Sequence, residues 1–353
     1  MDDFSQQLLA WFDQHGRKHL PWQQQSTPYQ IWVSEIMLQQ TQVNTVIPYY
    51  SRFIARFPTV QTLAVASLDE VLHLWSGLGY YARARHLHSA AQQIVKQWAG
   101  NLPENLTDLM RLPGIGRSTA GAILTLAFAQ RQPILDGNVK RILCRYHAFA
   151  GWSGSTKVVK ELWQLAEQHT PEQRIAAYTQ AIMDLGATLC TRAVPQCTQC
   201  PLKMGCLSYQ TGQTQHYPTP KPKKVLPVKT TIFIMLHHEI KGILLEKRPT
   251  SGIWGGLWSF PECTTRNEIA IWYQKHFHDP IPTYQFWQPF RHTFTHFHLE
   301  ITPVYIHINT KTCQNSVVFT DEHWHSLTQP QIRGLAKPVV HLLKQITQLM
   351  EGQ

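Results

Sequence analysis

The composition of the chain changes abruptly across residues 212–228. Pro218, Pro220, Pro222 and Pro227 stand there among lysines. Prolines at this density remove backbone donors and obstruct helical turns, so an extended, solvated linker is expected. The two sides are patterned differently. Residues 1–211 repeat apolar side chains at intervals of three and four, as in Ala120, Ile123, Leu124 and Ala127, which is the period of amphipathic helices. Residues 229–353 open with β-branched and aliphatic runs at 231–236 and 243–245, and Phe297, Leu299 and Ile301 then alternate with His296, His298 and Glu300. That is a strand period. Helical spacing returns at Val339, Leu343, Ile346 and Met350 behind Pro338, a residue suited to a first helical position. The expected fold class is multidomain, an all-helical domain followed by an α+β domain. With 353 residues, two or three domains can each enclose a core. No run approaches eighteen consecutive apolar residues, so no membrane span is expected.

Four of the seven cysteines fall within seventeen residues, as Cys190-x6-Cys197-x2-Cys200-x5-Cys206 with a proline after the third. Such bunching suits thiolates converging on one metal centre. Structural zinc usually takes two close pairs, so one close pair flanked by wider spacings favours iron–sulfur, with zinc the alternative. The opening Met1-Asp2-Asp3-Phe4 leads directly into an amphipathic pattern, without the look of a secretory leader. A reducing, cytoplasmic compartment is expected, which argues against disulfides. Cys144, Cys263 and Cys313 stand apart and read as ordinary thiols. The formal net charge of +10 favours a polyanionic partner, nucleic acid first.

Leu112-Pro113-Gly114-Ile115-Gly116-Arg117-Ser118 joins a helical pattern at 106–110 to a helix expected to start near Arg117. Gly114 and Gly116 permit a tight turn with outward amides, and the following helix adds its N-terminal partial charge. A DNA phosphate fits there; an ordinary helix connection is the alternative. Asp136 follows Gly116 by twenty residues. A helix of about twelve residues runs roughly 18 Å away, and about seven extended residues cover the return, so Asp136 can sit beside the hairpin. Taken alone it would read as a helix N-cap. Glu35 lies on a helix whose apolar stripe is Trp32, Ile36, Val43 and Ile47, with Ile31 and Leu38 as neighbours. Partial burial there would raise its pKa; a solvated helix glutamate is the alternative.

A Gly-rich hairpin, an aspartate twenty residues on and a cysteine cluster after it resemble the helix-hairpin-helix DNA glycosylases of the endonuclease III superfamily. Within it, the MutY family of adenine DNA glycosylases is matched more closely. The match is carried by Val33-Ser34-Glu35-Ile36-Met37-Leu38-Gln39-Gln40-Thr41, Gly77-Leu78-Gly79-Tyr80-Tyr81-Ala82-Arg83-Ala84-Arg85, the segment 112–121, and Leu135-Asp136-Gly137-Asn138-Val139-Lys140-Arg141. The resemblance implies removal of adenine mispaired with 8-oxoguanine or guanine in double-stranded DNA. It implies a glycosylase domain over 1–211, with a six-helix unit at about 24–131 and a cluster-bearing unit from 1–23 and 132–211. A 4Fe-4S cluster on Cys190, Cys197, Cys200 and Cys206 would pin a loop that offers Arg192 and Lys203 to phosphate.

By the same resemblance, Glu35 is the general acid at adenine N7 and Asp136 stabilises the oxocarbenium ion. Adenine must leave the duplex. Gln40 and Tyr80 match wedge positions with Leu38 as helper, Gln180 matches a position reading the adenine edge, and Asn138 orients the Asp136 region. Ser118 stands where bifunctional relatives carry a catalytic lysine, which implies a monofunctional enzyme, and Lys140 is left to contact phosphate.

Residues 229–353 resemble a Nudix-like domain, with Trp254-Gly255-Gly256-Leu257-Trp258-Ser259-Phe260-Pro261-Glu262 matching the adenine glycosylase version. The hydrolase signature needs Arg-Glu-x-x-x-Glu-Glu to hold divalent metal, and it is absent after Phe260. Recognition of 8-oxoguanine is the implied role, with Phe294-Thr295-His296 aligned to a family Phe-Ser-His tip. Threonine keeps the serine hydroxyl and adds a methyl. An endonuclease III-like pyrimidine glycosylase and lyase, and a non-catalytic iron–sulfur DNA-binding sensor, are the alternatives. A nucleoid-associated monomer is expected.

Overall fold

The structure is a computed structural model that describes residues 1–24, 26–221, 225–277, 280–309, 319–320 and 323–351. It divides into two compact units, Met1–Val65 with His86–Lys223, and Ala66–Arg85 with Lys224–Gln353. Among the described residues no helix is long and apolar enough to cross a membrane.

The first unit is built from α1 (Asp3–His15), α2 (Pro28–Leu38), α3 (Val43–Arg56), α4 (Val60–Val65), most of α6 (Ala82–Trp98), α7 (Leu106–Arg111), α8 (Arg117–Phe128), α9 (Gly137–Tyr146), α10 (Thr156–His169), α11 (Ile175–Thr188) and α12 (Leu207–Gln210). Local chemistry sets several starts. Thr27 and Gln30 form a reciprocal capping box ahead of Pro28, and the Asp2 carboxylate caps α1 by accepting from Ser5 N at 2.9 Å. Helix α11 packs against α1, α8 and α9. Its Tyr178, Ala181, Ile182 and Leu185 join Leu8 and Leu9 of α1 and Val139, Ile142 and Leu143 of α9 in one core. Gly186 permits the close approach of α9, because a Cβ there would lie 2.5 Å from that of Asn138.

Two expectations change. The apolar stripe from Trp32 to Ile47 is not one helix: α2 stops at Leu38 and α3 starts at Val43. Gln40 turns the chain with φ +57°, a left-handed conformation that an α-helix cannot contain. The proline-rich segment stays solvated, with no buried residue among its described positions, but it is not extended throughout, because Thr214–His216 form a 3-10 turn, and two contacts fasten it. Tyr217 O accepts from Arg145 Nε at 2.9 Å, and Thr219 Oγ1 from Gly151 N at 3.1 Å. Pro222, expected within that linker, lies outside the described residues, as does Cys313.

The second unit adds α5 (Leu68–Trp75) to β1 (Val228–His238), β2 (Gly242–Leu244), β3 (Glu246–Lys247), β4 (Trp258–Ser259), β5 (Glu262–Cys263), α13 (Arg266–Phe277), β6 (Tyr284–Phe286), β7 (Phe290–Thr293), β8 (His298–Ile308), β9 (Trp324–His325) and α14 (Lys337–Glu351). The main sheet runs β6-β8-β1-β2-β9, with β5 on β1 and β7 on β8. Strands β1 and β8 are parallel from Val228 opposite His298 to His238 opposite Ile308. The last eight residues of β1 are all buried, as expected for a central strand covered on both faces. Glu268 near the start of α13 accepts from Thr264 N and the Thr265 hydroxyl at 2.8 and 3.0 Å, a capping task.

Segment 66–85 is fastened within this second unit, an arrangement that the contiguous boundaries expected from sequence do not contain. Asp69 binds Lys247 at 2.9 Å and accepts from Trp258 Nε1 at 3.3 Å, while Arg85 Nη1 donates to Gly255 O at 2.7 Å.

Candidate active site

In the first unit, Gln39 ties the end of α2 to the start of α8. Its Nε2 donates to Gly114 O at 3.3 Å and to Thr119 Oγ1 at 3.2 Å. Sequence reasoning passed over Gln39, because its partners lie more than seventy residues away. Gly114 has φ +80°, and a Cβ there would come 2.9 Å from that of His86. Gly116 is the exposed N-cap of α8 and has no side chain to cover the first amides of that helix.

The return from α8 is fastened by Ser118, whose Oγ accepts from Leu135 N at 3.0 Å. This places Asp136 at the N-cap of α9, with Oδ1 accepting from Val139 N at 2.8 Å. Burial pushes the Asp136 pKa up; the amides of Val139 and Asn138 and the charges of Arg141 and Lys140 oppose it. Glu35 is partly exposed as a residue, yet its carboxyl is ringed by protein. Burial first, and the charge of Asp136 second, push its pKa up to about 7, with no donor among the described residues offsetting either. The two carboxylates thus share one electrostatic site. Near neutral pH Glu35 can hold and deliver a proton, while Asp136 has the donors that favour its ionised form.

A cavity of about 340 Å³, open to solvent, lies against α2 and α11. Ile31 and Ser34 line it on one side and Gln180 on another, with Arg17, Trp22 and Gln23 completing much of the wall. Glu35 follows Ser34 but is not itself part of the lining. Leu38 is half-buried at the end of α2, and Gln40 is exposed in its left-handed turn. Lys140 is half-buried on α9. Asn138 Oδ1 accepts from Arg141 Nη2 at 2.8 Å, and the same guanidinium reaches Gly186 O at 2.6 Å and Cys190 O at 2.7 Å. Arg141, unremarked in the sequence, thereby joins the Asp136 turn to the cysteine loop.

Cys190, Cys197, Cys200 and Cys206 all line a second, narrow pocket, walled also by Ile142, Leu185, Leu189 and Leu202. Buried Arg145 donates to Cys190 Sγ at 3.4 Å and holds the loop through Thr191 O at 2.7 Å and Arg192 O at 3.2 Å. Burial, then the neighbouring cysteines, push the Cys200 thiol up to about 12. Ionising all four thiols there would need a compensating cationic group, as a metal centre would be. Among the described residues no three His, Cys, Asp or Glu side chains converge closely enough for a single ion. Arg192 is exposed, whereas Lys203 Nζ is turned to Thr198 O at 3.1 Å. Cys144 and Cys263 are buried, each pushed up to about 11 by that burial.

In the second unit, Tyr80 is 45 % exposed with φ +51°, and its ring faces the Arg83 guanidinium at 5.2 Å. A left-handed tyrosine stores strain that its surroundings must support. Phe294, Thr295 and His296 form the turn between β7 and β8, closed by Phe294 N donating to Phe297 O at 2.9 Å. Phe294 is anchored by stacking on Phe297 at 4.7 Å and by Trp254 at 5.1 Å, leaving Thr295 and His296 exposed at the tip.

Residues 33–168 match the family described as HhH-GPD superfamily base excision DNA repair protein, and residues 231–345 match the NUDIX domain. An adenine DNA glycosylase of Buchnera aphidicola subsp. Acyrthosiphon pisum is 42 % identical over 97 % of this chain and 97 % of its own. That of Buchnera aphidicola subsp. Schizaphis graminum is 40 % identical over 97 % and 98 %. A solved thermostable thymine-DNA glycosylase superposes with TM-score 0.54 at 26 % identity, covering 59 % of this chain and 95 % of that one. Full-length likeness of this degree, on a helical glycosylase unit and a Nudix-like unit, means that the chain belongs to the adenine DNA glycosylase family, DNA-repair hydrolases that release adenine from DNA.

Proposed function

We propose that this glycosylase removes adenine mispaired with 8-oxoguanine or guanine, and that it stops at the abasic site. The observation that carries the reading is the shared burial of Glu35 and Asp136, which pushes Glu35 up to about 7. Adenine is flipped from the duplex, with Gln40, Tyr80 and Leu38 as wedge side chains. Glu35 protonates N7, the glycosidic bond weakens, and Asp136 stabilises the positive charge on the sugar until water attacks. Hairpin residues Gly114 and Gly116 offer amides to phosphate, and Lys140 adds charge. Ser118, engaged with Leu135 N, supplies no amine for Schiff-base chemistry. Thr295 and His296 read the oxidised base. The enzyme acts on nucleoid DNA in the cytoplasm.

Cys190, Cys197, Cys200 and Cys206 hold a 4Fe-4S cluster in this reading, supported by their common pocket and the Arg145 contact. Its contribution when bound is structural, fixing the loop that bears Arg192.

Glu35→Gln and Asp136→Asn test the mechanism. Each is expected to lower single-turnover adenine release by at least about a thousandfold while retaining mismatch binding, the scale of losing a general acid or an electrostatic stabiliser. Turnover near wild type in either variant would remove that residue from its role.

A further inference from the structure

Helix α11 carries one carboxylate into the interior. Asp184 is fully buried. Arg17 donates its backbone N–H to Oδ2 at 2.8 Å, and its Nε and Nη2 to Oδ1 at 3.0 and 2.6 Å. One turn earlier on the same helix, Gln180 donates Nε2 to Oδ1 at 2.8 Å. A carboxylate bonded to guanidinium only accepts, so the Gln180 amide turns its NH2 toward Asp184 and its Oε1 away. Gln180 and Arg17 both line the open cavity beside Ser34.

We infer that Asp184, clamped by Arg17, is a positioning residue that locks the Gln180 amide with its oxygen toward the bound base, and that this lock selects a 6-amino purine over a 6-oxo purine. The inference rests on the proposed role of Gln180 at the adenine edge and deepens it. An unconstrained amide rotates to offer either a donor or an acceptor. It would then accept from the exocyclic amine of adenine or donate equally well to the O6 of guanine or hypoxanthine. With the NH2 already committed, a 6-oxo purine meets oxygen against oxygen and leaves a buried acceptor unpaired. A site built this way rejects the wrong partner far better than shape alone allows. The lock was hidden in the sequence, since Arg17 and Asp184 are 167 residues apart.

The test is single-turnover release of adenine and of hypoxanthine, each opposite 8-oxoguanine, by the wild type, Asp184→Asn, Gln180→Leu and the double variant. Asparagine can donate as well as accept, so the Gln180 amide is freed to flip. The adenine-to-hypoxanthine rate ratio is expected to fall about tenfold or more in Asp184→Asn. No further fall is expected when Asp184→Asn is added to Gln180→Leu. A fall in both rates with an unchanged ratio, while Gln180→Leu does lower the ratio, makes Asp184 merely structural and overturns the inference alone. An unchanged ratio in Gln180→Leu means that Gln180 does not meet the base, and both readings fall. Should Asp184→Asn not fold, the Gln180 side-chain NH2 of the wild type decides by NMR. Protection of that NH2 from hydrogen exchange supports the lock, and exchange as fast as that of an exposed amide overturns it.

Discussion

A glutamate whose pKa sits near the working pH serves two states of the molecule differently. Burial favours the neutral form of Glu35, so the folded protein binds a proton that the unfolded chain releases at lower pH. Stability attached to that proton is complete in acid and is lost as pH rises through the ordinary glutamate range toward about 7. Glu35→Gln should therefore raise the unfolding free energy above about pH 7, by on the order of 2 kcal/mol after allowance for partial exposure, and change it little in acid. Chemical denaturation at two pH values measures this, and an equal effect at both would show that burial does not set the Glu35 pKa. The wild-type single-turnover rate should fall as pH rises through about 7, because the proposed mechanism needs the neutral acid. At the turn proposed to read the oxidised base, Thr295 is exposed while Phe294 is anchored. Thr295→Val keeps the shape and removes the hydroxyl. It should lower the preference for A:8-oxoguanine over A:G by roughly fivefold to tenfold, the worth of one hydrogen bond, with the A:G rate unchanged. Equal loss on both substrates would place the hydroxyl outside lesion recognition.

Elements explain why the hairpin was readable from sequence and other parts were not. Helix α8 is twelve residues long and its return places Asp136 at the next N-cap, as period and chain length demanded. Strand β8 and helix α14 followed from periods of two and 3.6 for the same reason: each buries one face of a local pattern. The break between α2 and α3 was not legible. The apolar spacing happens to continue across residues 39–42, and nothing local announces that Gln40 adopts φ +57°. Contacts made at long range were equally silent, as with Gln39 on the hairpin, Arg141 on the cysteine loop and segment 66–85 in the second unit. Local periodicity specifies elements, whereas these depend on which elements meet. At Gly114, the positive φ and the nearby His86 make any side chain strained. Gly114→Ala should cost about 1 kcal/mol or more of stability. It should also weaken binding to matched and mismatched duplexes alike, as measured by fluorescence anisotropy; selective loss on mismatches alone would contradict a phosphate-binding hairpin.

At the scale of the whole molecule, the two carboxylates proposed for catalysis, the hairpin and the cysteine pocket belong to the first unit, and the tip proposed to read the lesion belongs to the second. Under the proposed assignment, chemistry and lesion recognition can be damaged separately. Cys200→Ser should yield protein depleted in iron and acid-labile sulfide, with duplex affinity reduced about tenfold or more through loss of the ordered basic loop. Retention of both would show that the pocket holds no cluster. The most direct test of the account is single-turnover base release from duplexes carrying A:8-oxoguanine, A:G, A:T or thymine glycol, each scored with and without alkali. Adenine should leave the first two only, with strand breaks appearing after alkali. Thymine glycol excision with alkali-independent nicking, or silence on all four, would contradict it.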